Sequence, residues 1–403
     1  MTKIYIPICG RLVYSDKKAN GEHIQMNRYY YQKYRILLFA LLSVLLLASS
    51  CQSATSAAAA PAGQRKPLTP TPTTASWALP PQPTSILPYI TPTPDQTNSA
   101  DAASTRRPVL AFYYSWYSFS TWSSRTMSDL PTTRYNSNDT ATINRQLQEA
   151  ATAGITGFIN SWWGAGDQTD KNFAKLLTLS TTLENTRHTH FASSIYFESD
   201  APALQGTNRI ESSLRYVLSH YGNNAHFFHW QGKPVIFFWN PLGNGRTLAQ
   251  WAIIRQQVDP KHQMIWSAEG VDTNLLSVFD GIHLFSAAYW GIQHKNINAV
   301  DQGFRAKINS YNQAHNTHKI WAAGVLPGYD DTRVPGRKGT YVIPRNNGAT
   351  YRESWGGAIS SAPDWITITT FNEWFEGAMI EPSIHYGDLY LNITRQYTKQ
   401  WRG

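Results

Sequence analysis

This 403-residue chain contains only two cysteines, Cys9 and Cys51, and both lie close to the N-terminus. The long region that follows therefore contains no disulfide, thiol nucleophile or cysteine-built metal site. Charge is also scarce, at 15% of residues, whereas aromatic side chains make up 13% and include 15 Trp and 22 Tyr. This composition is typical of a globular protein and not of a disordered one.

The net charge of +9 lies mostly outside the long C-terminal region. Residues 1–50 carry +5 and residues 51–107 carry +2, which leaves only +2 for residues 108–403. A surface that follows nucleic-acid phosphates needs a concentrated basic patch. We therefore expect no nucleic-acid partner.

Several catalytic motifs are missing from the sequence. There is no Gly-x-Ser-x-Gly elbow and no Gly-Lys-Ser phosphate loop, which argues against a serine hydrolase or a nucleotide enzyme. No His-x-x-x-His or His-Glu pair at ligand spacing follows a predicted strand. We therefore expect no metal and no other required cofactor in the reaction.

The N-terminal 51 residues are typical of an export signal. Basic residues precede an apolar run at residues 36–47, and the small residues Ala48, Ser49 and Ser50 come directly before Cys51. The run is short for a stable membrane span and matches a signal peptide. The small residues before Cys51 resemble a bacterial lipobox, so we expect a lipid-anchored protein at the cell surface; plain secretion and a retained membrane anchor are the alternatives.

Residues 52–107 are rich in Ala, Pro, Thr, Ser and Gln, with repeats such as Thr-Pro-Thr-Pro at 91–94. A segment of this composition buries too little apolar surface to fold and favours extended geometry. We interpret it as a disordered stalk.

Residues 108–403 contain short apolar runs that alternate with helix-sized segments. The eight runs are 109–115, 155–161, 191–198, 234–239, 263–268, 280–286, 319–325 and 365–371. Apolar strands that alternate with helices indicate a buried parallel sheet, and eight units in this length predict a single (β/α)8 TIM-type barrel of the α/β class. A doubly wound open sheet is the chief alternative. The weakest unit is the fifth, since only residues 271–279 are available for its helix.

Catalytic groups in such a barrel come from the C-terminal ends of the strands. These ends are rich in aromatic rings, which stack on sugar faces, and in groups that bond to sugar hydroxyls. The residues predicted to contact a sugar are Tyr113, Tyr114, Trp116, Trp162, Trp163, Glu198, Trp239, Tyr289, Tyr329, Asn372 and Trp374.

Glu373 and Glu376 follow the last predicted strand in the run Phe-Asn-Glu-Trp-Phe-Glu-Gly. Cleavage of a glycosidic bond needs one carboxylic acid for the departing oxygen and a second carboxylate at the anomeric carbon. Residues three apart lie on one side of a helical turn but on opposite faces of an extended strand. The hypothesis that this pair is catalytic therefore requires a turn that begins near Asn372.

The sequence resembles glycoside hydrolase family 99, whose best-known members are endo-α-mannosidases and endo-α-1,2-mannanases. The resemblance covers almost all of residues 108–403. It rests on five motifs in order, which are FYYSWY at 112–117, GITGFINSWWG at 154–164, GKPV at 232–235, PGYDDT at 327–332 and ITITTFNEWFEG at 366–377.

The resemblance implies a retaining, endo-acting glycosidase of α-mannan-like polysaccharides or glycans. Glu373 would deprotonate the substrate's own 2-hydroxyl, which attacks the anomeric carbon and gives a 1,2-anhydro sugar. Glu376 would protonate the leaving oxygen and later activate water. Aromatic residues and Glu198 would line the subsites of the donor sugar.

The sequence departs from the family pattern beside the two glutamates. Phe375 stands where the family usually has His, and Ala378-Met379 replaces Thr-Gln. The sixth strand also lacks the family's Tyr-rich pattern. These changes bear on the choice of sugar. A glycan-binding surface lipoprotein without catalysis remains the alternative function, and we expect a monomer in either case.

Overall fold

The computed structural model describes residues 107–285 and 296–403. The predicted signal peptide, Cys51, the stalk and Tyr289 lie outside the described residues. Within those two ranges no helix is both long and apolar enough to cross a membrane.

The described residues form a closed barrel of eight parallel strands, which confirms the predicted fold. The barrel strands are β1 (Val109–Tyr113), β2 (Gly157–Trp162), β3 (Ser194–Glu198), β5 (Lys233–Trp239), β6 (Ile265–Glu269), β7 (Gly281–His283), β8 (Ile320–Val325) and β11 (Trp365–Ile368). The pairing of β3 with β5 closes the sheet and excludes the open-sheet alternative. The remaining strands are short: β4 (His229–Trp230) pairs with β5, and β9 (Tyr329–Asp330) pairs with β10 (Val342–Ile343).

The described part of the chain has seven α-helices around the barrel. They are α1 (Thr140–Thr152), α2 (Gln168–Arg187), α3 (Thr207–Tyr221), α4 (Leu248–Val258), α5 (Ile297–His315), α6 (Ala349–Ser360) and α7 (Leu389–Arg402). The fifth crossover is a short 3-10 helix, Thr273–Ser277, as the weak fifth unit indicates. Helix α7 follows the last strand and buries two threonines, Thr394 and Thr398, beside its apolar residues.

Side-chain caps fix where two of these helices begin. The Asp167 side chain accepts a hydrogen bond from the Thr169 backbone N–H at the start of α2. Thr247 and Gln250 form a capping box at the start of α4. Such caps satisfy backbone N–H groups that have no partner within the helix.

The interior of the barrel is filled by side chains, as in other barrels of this size. His283 lies within it, with Nδ1 3.0 Å from Ser267 Oγ and Nε2 3.3 Å from the Tyr196 hydroxyl. Burial lowers the pKa of His283 to about 3, so its imidazole is neutral at pH 7. Because side chains alternate along a strand, these inward positions also determine which strand-end residues face the mouth of the barrel.

Candidate active site

Aromatic side chains line the C-terminal mouth of the barrel. Trp116 lies between Tyr114 and Trp163, with ring centroids 4.7 Å and 6.0 Å away. Trp239 lies beside Phe285, with centroids 5.6 Å apart. Trp116 and Trp239 are partly exposed, so their rings are accessible from the mouth of the barrel.

A carboxylate and a hydroxyl accompany these rings. The Ser161 hydroxyl at the end of β2 donates to Glu198 Oε1 at 2.5 Å. Trp163 Nε1 in turn donates to Ser161 Oγ at 3.0 Å. This chain of hydrogen bonds fixes the orientation of Glu198 at the end of β3, where its carboxylate can accept hydrogen bonds from sugar hydroxyls.

The segment after β11 leaves the sheet and forms the turn on which the catalytic hypothesis depends. Gly377 N–H donates to Trp374 O at 3.3 Å, and Ala378 N–H donates to Glu373 O at 3.2 Å. Gly377 has a φ of 56°, and a Cβ there would lie 2.6 Å from Ser128 Oγ. The turn therefore spans both glutamates and requires glycine at its end.

Asn372 attaches this turn to the first strand of the barrel. Its Oδ1 accepts from the Tyr114 backbone N–H at 2.7 Å, and its Nδ2 donates to the Tyr114 carbonyl at 2.9 Å. The Tyr117 hydroxyl accepts from the Trp374 N–H at 3.0 Å. The segment that follows β1 is thus bonded to the turn on both sides of Glu373, at Asn372 and at Trp374.

Glu381 supports the turn from below with a fully buried carboxylate. Its Oε2 accepts from Trp374 Nε1 at 3.0 Å and from the Tyr135 hydroxyl at 2.9 Å. Its Oε1 accepts from Gln146 Nε2 at 2.8 Å and from Arg145 at 3.0 Å. Burial and the charge of Glu381 raise the pKa of Tyr135 well above its ordinary value, so Tyr135 remains a donor.

Arg337 holds the Glu376 carboxylate from the opposite side. One guanidinium nitrogen lies 3.0 Å from Glu376 Oε1, and the other lies 3.0 Å from both Asp331 Oδ2 and the Tyr329 hydroxyl. All these side chains are buried. Burial, and then the negative charge of Glu376, raise the pKa of Tyr329 well above its ordinary value.

Arg337 was not found by the sequence analysis. It comes from the loop between β9 and β10, 39 residues before Glu376. No residue of that loop ends one of the eight predicted strands, and the loop contains no catalytic motif. The Pro-Gly-Arg-Lys-Gly run at 335–339 indicates a turn, and nothing in its spacing indicates contact with a catalytic carboxylate.

Four of the predicted sugar contacts need correction. Tyr113 and Trp162 point outward, because they alternate with inward residues: the Tyr113 hydroxyl donates to Gln146 of α1, and Trp162 Nε1 donates to Asp170 of α2. Asn372 and Trp374 are fully buried and bonded to protein groups, so both shape the turn from beneath.

The remaining predicted residues lie toward the mouth of the barrel. Glu198 and Trp239 end β3 and β5, Tyr114, Trp116 and Trp163 follow β1 and β2, and Tyr329 is beside Glu376. Tyr289 is outside the described residues. The structure thus brings together a turn with two glutamates, a buried arginine and a row of aromatic rings.

Glu269 is a further carboxylate at the end of β6, and it is not among the predicted sugar contacts. Its partner in the sheet is His283 of β7, and the strand on its other side, β5, ends at Trp239. Burial raises the pKa of Glu269 to about 7. This carboxyl therefore changes its charge within the working range of most enzymes.

Replacement of Glu269 by glutamine should make the stability of the protein less dependent on pH. Between its ordinary pKa of 4.5 and about 7, the unfolded chain releases the proton that the folded chain retains. The wild-type stability contribution of this group is therefore complete below pH 4.5 and is lost as the pH rises to 7.

Thermal unfolding should show equal Tm values for Glu269→Gln and wild type at pH 4, and a higher Tm for the variant at pH 7.5. An equal difference at both pH values would contradict the assignment; Glu353→Gln, at an exposed position on α6, is the control.

Comparison with known proteins gives a consistent result. The sequence model of the family "Glycosyl hydrolase family 99" matches residues 123–401. The rat protein "Glycoprotein endo-alpha-1,2-mannosidase" is 23% identical over 364 residues, which are 73% of this chain and 74% of the rat protein. The human "Glycoprotein endo-alpha-1,2-mannosidase-like protein" is 23% identical over 66% of this chain and 63% of its own length.

A solved structure shares the fold. The GH99 endo-alpha-mannosidase from Bacteroides thetaiotaomicron superposes with a TM-score of 0.62 at 22% identity, covering 74% of this chain and 98% of that one. At this level of identity the match establishes the architecture alone.

Proposed function

The chain belongs to glycosyl hydrolase family 99, and from this premise we propose that it is a retaining, endo-acting hydrolase of α-mannose-containing polysaccharides or glycans. As a member of this family it is a glycoside hydrolase. The observation that carries the finer proposal is the turn after β11, which places two buried glutamates, Glu373 and Glu376, three residues apart beside the mouth of the barrel. The names of the rat and human relatives supply the mannoside class.

The proposed reaction has two steps. Glu373 removes the proton of the substrate's 2-hydroxyl, whose oxygen attacks the anomeric carbon, while Glu376 gives a proton to the departing glycosidic oxygen. The product of this step is a 1,2-anhydro sugar. Glu376, now ionised, removes a proton from water, which opens the three-membered ring at the anomeric carbon. The oxygen on C2 regains its proton from Glu373, so two inversions give net retention and both carboxyls return to their initial states.

The surroundings of Glu376 support an acid/base role. Arg337 and the Asp330 backbone N–H, which donates to Glu376 O at 2.8 Å, hold the side chain and the main chain of this residue. A group that gives a proton to one oxygen and then takes a proton from another must remain in one orientation, since misplacement of a catalytic group by about 1 Å can cost 10²-fold in rate. We therefore assign Arg337 the role of a positioning residue for Glu376.

The rings at the mouth of the barrel support a sugar substrate. Trp116, Trp163 and Trp239 offer flat faces for the C–H surfaces of pyranose rings, and Glu198 can bond to a hydroxyl. Phe375, partly exposed between the two glutamates, packs on Tyr117 with centroids 5.9 Å apart. It places an apolar ring where the family usually has an imidazole, so we propose that it alters the preferred sugar or linkage.

We also propose that the protein is exported and attached to the bacterial cell surface through a lipid on Cys51. The proposal rests on the sequence around residues 36–51 alone. Membrane fractionation of wild type and Cys51→Ser in a bacterial host tests it: the variant should leave the membrane fraction, and an unchanged distribution would contradict lipidation.

The function is tested by digestion of a panel of reducing-end-labelled α-mannans and mannose glycans of defined linkage. We expect an oligosaccharide containing at least two sugars to be released, and NMR should show the α-anomer as the first product. Release of mannose alone would contradict endo action, and a β-anomer would contradict retention. Binding of a mannoside without cleavage by either wild type or Glu376→Gln would instead support the glycan-binding alternative.

A further inference from the structure

Three potential metal ligands meet at the end of the barrel opposite the two glutamates. Glu184 is in the last turn of α2, His190 is in the loop before β3, and His226 is in the loop before β4. Their ligand atoms all lie within 4.8 Å of one another. Residues that precede barrel strands lie at the N-terminal face, so this group is separate from the active site.

The carboxylate of Glu184 lies between the two imidazoles. Its Oε1 is 3.2 Å from His190 Nδ1, and its Oε2 is 3.3 Å from His226 Nε2. The two imidazole rings lie nearly parallel, with centroids 5.2 Å apart. Nitrogen and oxygen ligands at 2.0–2.2 Å from a tetrahedral ion are separated by about 3.3 Å, which matches these contacts.

The second nitrogen of His226 determines the state of this group. Nδ1 lies 3.2 Å from the Phe191 carbonyl, which can only accept a hydrogen bond, so Nδ1 carries the proton of the neutral ring. Nε2 then presents a lone pair to the Glu184 carboxylate, which is also only an acceptor. A cation bound between these two atoms satisfies both of them.

We propose that Glu184, His190 and His226 bind a divalent transition-metal ion of the zinc class. Two imidazoles and one carboxylate are a set of ligands that zinc takes in proteins, with a fourth position for water. The bond from His226 Nδ1 to a backbone carbonyl is the outer contact that orients most metal-binding histidines. His190 and Glu184 are 21% and 31% exposed, so the ion and its water can enter from solvent.

The position of the ion gives it a structural role. It joins the end of α2 to the two loops that lead into β3 and β4, which have no disulfide available to them. The ligands come from three segments, and 35 residues separate the two histidines. No motif in the sequence therefore indicates the site, and its ligands do not follow the C-terminal ends of the strands.

The test uses the full chain, purified without a histidine tag and treated with EDTA, which is then removed by dialysis. Titration with ZnCl₂ in a calorimeter should give one ion per chain, and excess Zn²⁺ should raise the Tm by roughly a few degrees through preferential binding to the folded state. Glu184→Gln and His190→Gln, both at partly exposed positions, should weaken Zn²⁺ binding by at least about 10-fold and abolish the rise.

The control is His315→Gln, which removes an exposed histidine at the end of α5. It should bind Zn²⁺ as wild type does, and MgCl₂ should leave the wild-type Tm unchanged because hard cations prefer oxygen ligands. Wild type that binds no Zn²⁺, or ligand variants that bind it as tightly as the control, would overturn the proposal. Because the readout is metal binding and Tm, the result is independent of the proposed mannosidase activity.

Discussion

Replacement of Glu376 by glutamine should lower kcat on an unactivated α-mannoside by about 10²–10⁴-fold, the usual contribution of a positioned acid/base group. The amide has nearly the same shape, and its oxygen can still accept the hydrogen bond from Arg337. Arg337 also retains its contact with Asp331, so the fold should change little. The loss would therefore report proton transfer. Initial rates measured with the wild type and the variant at equal substrate saturation give the comparison.

An activated substrate separates the roles of the two glutamates. An α-mannosyl fluoride needs no proton for departure of its leaving group, so Glu376→Gln should keep much more of the wild-type rate with this substrate than with a glycan. Glu373→Gln should lose activity with both substrates, since the 2-hydroxyl must still be deprotonated. Equal losses for the two variants with both substrates would contradict this division of labour. Glu353→Gln, exposed on α6, should match wild type throughout.

The barrel could be predicted from the sequence because its strands are short apolar runs and a helix-sized segment follows all of them but the fifth. The glutamate pair could also be located, since it follows a strand whose apolar residues end at Phe371. Both inferences depend only on residues that are close together in the sequence. The turn at Trp374–Gly377 is likewise local, and it agrees with the expectation that residues three apart lie on one side of a turn.

The direction of individual side chains was harder to predict. Tyr113 and Tyr114 are adjacent, as are Trp162 and Trp163, so alternation allows only one of each pair to face the mouth of the barrel. Which one does so depends on where the strand stops being regular. The structure shows that Tyr113 and Trp162 still belong to the outward register.

Residues that support the site from far along the chain could not be predicted. Arg337 reaches Glu376 from a separate loop, and the donors to Glu381 come from 235 residues away in Gln146 and 246 residues away in Tyr135. Their amino-acid types are ordinary on a helix or in a loop. Only the closed barrel, which places the first helix against the last loop, brings them together.

The carboxylate of Glu381 is the contact whose removal should cost the most stability. It is fully buried, it accepts four hydrogen bonds, and one of its partners is the charged Arg145. Replacement by alanine leaves the donors of Tyr135 and Gln146 buried without an acceptor, and Trp374 Nε1 keeps only its 3.2 Å contact with the Tyr135 hydroxyl. Each buried donor that is left without an acceptor costs about 1–3 kcal/mol. Urea unfolding at pH 7 should show this loss as a clear decrease in the midpoint for Glu381→Ala.

Glu149→Ala is the matched control for this prediction, because Glu149 also binds Arg145, through an i,i+4 pair on α1. Its side chain is 24% exposed, so water can replace the lost contact and the expected cost is about 0.3–0.5 kcal/mol. Equal midpoints for the two variants would show that Arg145, and not the buried acceptor, dominates the network. A loss confined to Glu381→Ala should also reduce activity at temperatures where the variant is folded, since Trp374 lies between Glu373 and Glu376 and loses its contact with Glu381. The same carboxylate would then stabilise the barrel and hold in place the turn with the proposed catalytic pair.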